Sequence, residues 1–533
     1  MKSSTWAVIT LCITAVSGCQ SVGSVPGSSN PASDDPQATV TDSSYPRHRP
    51  PANRLFSLSP SEENSTNLTL DEFGNLMLEP DKHATALSYL WVANSGDGTV
   101  SKIDTPTGKE LARYLTGPFN ADPSRTTVSL EGDVVVANRG GASAVRIHAD
   151  PATCPDKNGD GKIDTSSGPS NVLPWGQDEC VLWHESFAKG SLPRAAAFDF
   201  RKDDSGATAS VWIGLYGAEK VLKLDASTGK VLEEVAMEGH SPYGMAFDGL
   251  GNLWIMDGRG NEKRQAIIRL DTTTLQWTEV QSPQNCNYGM TVDASGRVWT
   301  SGYKCVAVYD PRTESWSQLT VGSYLRGIAL DRAGTAWVAD TNFGIHQIDT
   351  RTLTVKASLP IEGKGGFVGI AVDFFNKVWA IEMASSQAFR VDPGTLQVTA
   401  IPTGKSPYTY SDMTGFQLQS VSPPIGRYRK VFDCGEKPSW QHLVWEADTP
   451  NGTSLQWRIR VGNSAQELGK KNFVSAARQP RETTKPLGGL LTAYFPGNEH
   501  AQLLEVEAEL TSEKAGLTPL LLSFNVECAP FVP

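Results

Sequence analysis

The chain has 533 residues, enough for two or three domains and a large core. Its formal net charge is -11 and no basic block appears, which excludes a nucleic-acid partner. With 14 tryptophans, 49 glycines and few stretches of helical periodicity, the composition is that of an all-β protein.

Lys2, the apolar run WAVITLCITAV and then SGCQ read as an export signal over 1–18, too short to span a membrane. VSGC resembles a bacterial lipobox. That resemblance implies cleavage before Cys19, acylation of its thiol and attachment to the membrane through the lipid. Gln20, where inner-membrane lipoproteins often carry aspartate, implies the outer membrane of the cell envelope. Residues 19–65 are rich in Ser, Pro, Gly and Asp and read as a flexible tether. A lead-in segment at 66–84 contains NLTLDEFGNLMLEP, which reads as a β-hairpin.

Residues 85–418 repeat. SPYGMAFDGLGNLWIMD (241–257), NYGMTVDASGRVWTSG (287–302), LRGIALDRAGTAWVAD (325–340) and FVGIAVDFFNKVWAIE (367–382) align, with weaker copies earlier. The apolar anchors are Trp91, Val135, Trp212, Trp254, Trp299, Trp337 and Trp379, mostly about 40 residues apart. Each unit continues into a second alternating pair such as VLKLDASTGKVL, so one unit is four strands, A to D. Such a sheet cannot bury both faces alone. Stacked neighbours make a β-propeller, and seven anchors make seven blades. The first copy lacks strand A; SPYTYSDMTGF (406–416) echoes it and is expected to complete that blade and close the ring.

The long gap between Val135 and Trp212 holds an insertion at 151–181 containing DKNGDGKIDTSS. Asp156, Asn158 and Asp160 occupy positions 1, 3 and 5 of a calcium-type loop; Lys162 offers its carbonyl at 7 and Asp164 stands at 9. Position 12 is Ser167 rather than a bidentate glutamate, which leaves Asp178 or Glu179 to complete a site. The loop resembles thrombospondin-type-3 repeats and implies a structural calcium on an elaborated C–D turn. Six cysteines remain beyond Cys12 and Cys19, which fits an oxidising compartment. Fifteen pairings are open. The couples Cys154–Cys180, Cys286–Cys305 and Cys434–Cys528 are favoured because the repeats bring each couple together.

Units of the form GIAxDxxGxxWVAD resemble the virginiamycin B lyase (streptogramin lyase) and NHL-type propellers over about 60% of the chain. The resemblance implies the propeller fold. In the lyases it implies two strand-A histidines, a glutamate after a blade tryptophan, and magnesium. Here the histidine slots hold Arg326 and Val368, and Glu382 matches the glutamate, so a binding or scaffolding module is expected ahead of a metal-dependent lyase or hydrolase.

Strand A begins and strand B ends on the same face. Ser124, Arg194, Tyr243, Tyr288, Arg326 and Tyr408 are therefore expected to ring one mouth, joined from strand B by Asn94, Asn138, Asp257, Asp340 and Glu382. This is a polar funnel for a polar ligand, a polysaccharide or an envelope protein. His240 reads as an exposed loop histidine. Residues 424–533 alternate over about 110 residues and suggest a C-terminal β-sandwich, with Trp440, Trp445 and Trp457 in its core.

Overall fold

The computed structural model describes residues 58, 60, 65–78, 88–201, 208–258, 265–363, 365–410, 412–422, 425–469, 471–478, 483–512 and 518–530. The signal at 1–18, Cys19 and nearly all of the tether lie outside them. The described chain is all-β, and its named strands pair antiparallel throughout, in a propeller-like succession of small sheets.

The Trp212 sheet is typical. Pro193–Phe198, Ser210–Leu215, Lys220–Asp225 and Val231–Ala236 pair in sequence order. The sheets around Val135, Trp254 and Trp379 have the same four strands. The Trp91 sheet has three, and the missing edge comes from the far end of the repeats. Gly96 N–H bonds the Lys405 carbonyl, Tyr408 N–H the Ala93 carbonyl and Trp91 N–H the Met413 carbonyl, each at 2.9 Å. Residues 405–410 and 412–413 thus border Tyr89–Asn94 where the repeat pattern expects the first strand. The Trp299 and Trp337 units depart from four separate strands each. They share one six-stranded sheet, because Val298–Asp310 spans strands B and C while Ser315–Leu330 spans D and the next A. The Tyr303–Tyr324 pairing extends the ladder around the bend between them.

The repeated sequence has a local cause. In four units an aspartate ends strand A, and its carboxylate accepts both the amides of the A–B turn and the indole N–H six residues on. Asp248 takes Trp254 at 3.0 Å, Asp293 Trp299 at 3.0 Å, Asp331 Trp337 at 2.9 Å and Asp373 Trp379 at 2.8 Å. A buried indole donor is thereby satisfied while its ring fills the space between sheets. The Trp212 unit breaks this spacing: its longer A–B turn puts Asp199 thirteen positions away, Arg201 and Ser210 take that carboxylate, and the Trp212 indole N–H has no hydrogen-bond partner among the described residues. The C–D turns also start on aspartate. Asp271, Asp349 and Asp392 each accept the next-but-one and following amides, which turns the chain before Leu275, Leu353 and Leu396 adopt positive φ.

The far end of the A strands is filled by a short helix, Phe416–Val421, absent from the sequence expectation. Leu418 and Val421 pack beside Phe198 and Phe247 in one core cluster. After it come two five-stranded sheets that share one core of Tyr428, Leu443, Trp445, Trp457, Leu504 and Phe524. Their strand lists include residues from before the repeats. Ser65–Thr66 pairs with Ile425–Asp433, and the expected hairpin forms as Leu68–Leu70 with Leu76–Leu78, whose Leu76 pairs with Leu521. Leu58 lies in the same core. The unit expected at 424–533 therefore also takes in Leu58 and 65–78, and the repeats are inserted within it. Trp440, Trp445 and Trp457 are buried. Cys154–Cys180, Cys286–Cys305 and Cys434–Cys528 all form disulfides.

Candidate functional site

Most A strands open with a residue at the mouth, then shift register against strand B within their first residues; Gly289–Val292 pairs without a shift. That places the side chains of Arg194, Tyr243, Tyr288, Arg326 and Tyr408 together. Arg194 donates to the Tyr243 hydroxyl at 2.8 Å, and Tyr288 and Tyr408 share a hydroxyl hydrogen bond of 2.8 Å. Arg326 donates to the Tyr288 hydroxyl and, through Nε, to Thr341 Oγ1 at 3.0 Å. The Tyr243 and Tyr288 ring centroids are 5.3 Å apart, nearly perpendicular.

Two central members were not anticipated, Arg125 and Tyr410. Tyr410 packs against the rings of Tyr243, Tyr288 and Tyr408 at 5.7, 4.9 and 5.5 Å. The Arg125 guanidinium lies 3.1 Å from the Tyr410 ring centre and donates to the carbonyls of Ser124 and Tyr243 at 2.8 and 3.1 Å. Ser124, the residue expected here, is buried. A signal for Arg125 exists: the matching position in the other repeats is Ala195, Gly244, Gly289, Gly327, Gly369 or Thr409. A long cation in a slot otherwise kept small must reach across the axis.

Arg125 is fully buried, and its Nε has no hydrogen-bond partner among the described residues. Arg125, Arg194 and Arg326 bond carbonyl, phenol or hydroxyl oxygens, and none forms an ion pair with a carboxylate among the described residues. Arg139, which faces the Tyr408 ring at 5.2 Å, does: both its forks meet Asp122 at 2.6 Å. Burial pushes Arg125 down to about 9. Burial also opposes ionisation of Tyr408, but Arg125, the Tyr288 and Tyr243 hydroxyls and Arg194 outweigh it and bring that phenol down to about 8. Burial raises Tyr243 and Tyr288. The mouth is a cationic centre packed with phenols.

The carboxylates expected beside them are occupied elsewhere. Asp257 accepts from His240 Nδ1 and from Ser241 N–H, both at 2.9 Å. His240 is buried rather than exposed, with Nε2 3.5 Å from Glu279 and its ring edge-on to Trp277. Asp340 is tied to Ser323 N–H and Oγ at 2.7 Å and to His346 at 3.3 Å. Burial opposes its ionisation, but these bonds hold it at about 2. Glu382 is fully buried against Gly363, where a Cβ would lie 2.3 Å from its Oε1. Asn94 and Asn138 bond threonine and serine hydroxyls of strand C. Val368 is buried.

The insertion hairpin stands apart from the mouth, between Ser143–Ile147 and Val181–Ser186. Asp156 accepts the amides of Gly159 and Gly161 at 2.7 and 2.9 Å, Asn158 that of Asp160 at 2.8 Å, and Asp160 that of Lys162 at 2.9 Å. Glu179 reaches over the loop to the amides of Lys157, Asn158 and Asp164 at 2.6, 3.0 and 2.8 Å. Asp178 instead binds Thr165 and Ser166. The donors are hard oxygens suited to calcium. Among the described residues, however, no three His, Cys, Asp or Glu converge as a metal group.

No family model matches the chain, and no curated protein matches its sequence. Solved structures do align. A streptogramin B lyase aligns at 15% identity and TM-score 0.42, over 61% of this chain and 92% of its own. A virginiamycin B lyase from Staphylococcus aureus aligns at 14% and 0.41, over 61% and 94%. AztD from Citrobacter koseri aligns at 12% and 0.43, over 60% and 96%. These likenesses concern the backbone trace, and the functional reading below rests on this chain's own side chains.

Proposed function

We propose that the protein is a lipid-anchored module of the cell envelope that binds a polar ligand at the Arg/Tyr mouth of a seven-bladed propeller. A β-sandwich, completed by the hairpin from the N-terminal side, would carry the propeller. The anchor at Cys19 and the outer-membrane location rest on the lipobox and Gln20. Seven anchor positions and the closing segment at 405–413 support seven blades. The observation that favours binding is the convergence of Arg125, Arg194 and Arg326 on one face without carboxylate partners among the described residues. A lyase would need a base at the mouth, and the slots concerned hold a guanidinium and an aliphatic chain. The 156–164 loop is assigned a structural calcium, held by Asp156, Asn158, Asp160, Lys162 and Asp164, that would order the hairpin. A thermal-shift screen of small polar molecules and envelope polymers tests the mouth. Ligands that stabilise the wild type should lose that effect in Arg194→Ala/Arg326→Ala; equal stabilisation of both would place the site elsewhere.

A further inference from the structure

Resting on the mouth reading, we propose that its ligand is an acidic glycan whose uronate carboxylates pair with Arg194 and Arg326 while its pyranose faces stack on Tyr303 and Tyr324.

Two independent features lead there. The first is the charge of the centre. The chain as a whole is acidic, at -11, yet on this face Arg125, Arg194 and Arg326 are bound to neutral oxygens, while Arg139 alone pairs with a carboxylate, Asp122, among the described residues. Arg125 is buried beneath the phenols and supplies field rather than contact. Arg194 and Arg326 are half-buried and donate to phenol or hydroxyl oxygens. Arginine's planar fork matches a carboxylate in two parallel hydrogen bonds, and it would replace phenol oxygens with a charged acceptor. Asp257 and Asp340 do not compete, since His240, Ser241, Ser323 and His346 occupy them.

The second feature is the exposed aromatic pair beside it. Tyr303 and Tyr324 are 43% and 53% exposed, although large aromatics elsewhere in the repeats are mostly buried. Their rings lie 4.9 Å apart. Tyr324 is two residues before Arg326, and its carbonyl accepts from Thr341 Oγ1, the same hydroxyl that receives Arg326 Nε. Tyr303 pairs directly with Tyr324, one strand spacing of about 5 Å from the strand that carries Arg326. Arg326, the Tyr288 phenol it bonds and the exposed Tyr303–Tyr324 pair therefore form one continuous strip. A single small anion uses only the inner part of that strip. A carboxylated sugar chain uses all of it, since pyranose C–H faces pack on aromatic rings while acid groups seek cations.

The test is calorimetric binding of the intact protein to tetragalacturonate, to a neutral tetrasaccharide and to inorganic phosphate, at 50 and 200 mM salt. Tetragalacturonate should bind, weaken with salt, and bind at least ten-fold better than the neutral chain. Arg194→Lys/Arg326→Lys keeps the charge but removes the fork, and should weaken it at least ten-fold. Tyr303→Ala/Tyr324→Ala, at exposed positions that do not threaten folding, should weaken tetragalacturonate several-fold and leave phosphate unchanged. Phosphate binding without any preference for the uronate chain overturns this proposal while leaving the mouth a binding site. Equal binding of the neutral chain, or uronate binding indifferent to both variants, overturns it as well. If the screen described above also yields no ligand sensitive to Arg194 and Arg326, the mouth reading falls with it.

Discussion

At the scale of single residues, the mouth is legible through titration. Tyr408 should ionise near pH 8, because Arg125, the neighbouring hydroxyls and Arg194 outweigh its burial. Its folded value is depressed, so this phenol contributes stability that grows as pH rises from about 8 toward the ordinary 10 and is lost below 8. Ultraviolet difference titration should show one phenolate transition near 8, absent in Tyr408→Phe; a first transition no lower than 10 contradicts the assigned field. Asp412 sits at the other end of the A strands and behaves oppositely. Its Oδ1 accepts from Thr414 and Gly415, while Oδ2 is buried, and burial outweighs the backbone hydrogen bonds and raises it to about 6. The folded state therefore favours the protonated acid, and stability present below about pH 4 is lost as pH rises through 6. Asp412→Asn should unfold at higher temperature than wild type at pH 7.5, by about 1–3 kcal/mol, with the gain gone at pH 4. A gain independent of pH would mean that charge is not the cause.

At the scale of elements, the Asp–Trp module governs each sheet. Trp254→Ala should cost about 3–5 kcal/mol, since a fully buried indole leaves a cavity. Asp248→Ala removes acceptors for Leu250, Asn252 and the indole, and should cost about 1–3 kcal/mol. Chemical denaturation checks both, and an Asp248 variant as stable as wild type would show that the turn holds itself. The insertion hairpin is a different kind of element. Its charged tip is exposed, and Cys154–Cys180 closes its base. Asp156→Ala/Asp160→Ala should abolish calcium uptake and leave the unfolding of the sheets unchanged; global unfolding on chelation would contradict a purely local role. The repeats were readable in the sequence because Asp, Gly and Trp recur for reasons internal to each hairpin. Arg125 was not, because aligning Pro123-Ser124 with Pro193-Arg194 and Pro242-Tyr243 put the small serine in the mouth slot. His240 was misread because nothing near it in sequence announces Asp257, Glu279 and Trp277 as its neighbours.

At the scale of the whole molecule, closure and interleaving matter most. The 405–413 edge was visible as an echo of a repeat lacking its first strand. The contribution of Leu58 and 65–78 to the final sheets was hidden, since pairing across more than 300 residues leaves no local pattern. A chain ending at residue 400 loses that edge and should aggregate through Tyr89–Asn94. Removing 58–78 should instead uncover Leu443 and Phe524 and destabilise the last sheets while the repeats stay folded, a distinction that limited proteolysis can read. The central claim, that a ligand occupies the Arg/Tyr mouth, is tested most directly by repeating the Tyr408 titration with the most stabilising compound from the thermal screen. An anionic ligand seated there pairs with Arg194, one of the groups that favour the phenolate, and brings negative charge beside it, so the transition near pH 8 should move upward as the site saturates. A saturating ligand that leaves that transition in place binds somewhere else, and the account of the mouth as the functional site would be wrong.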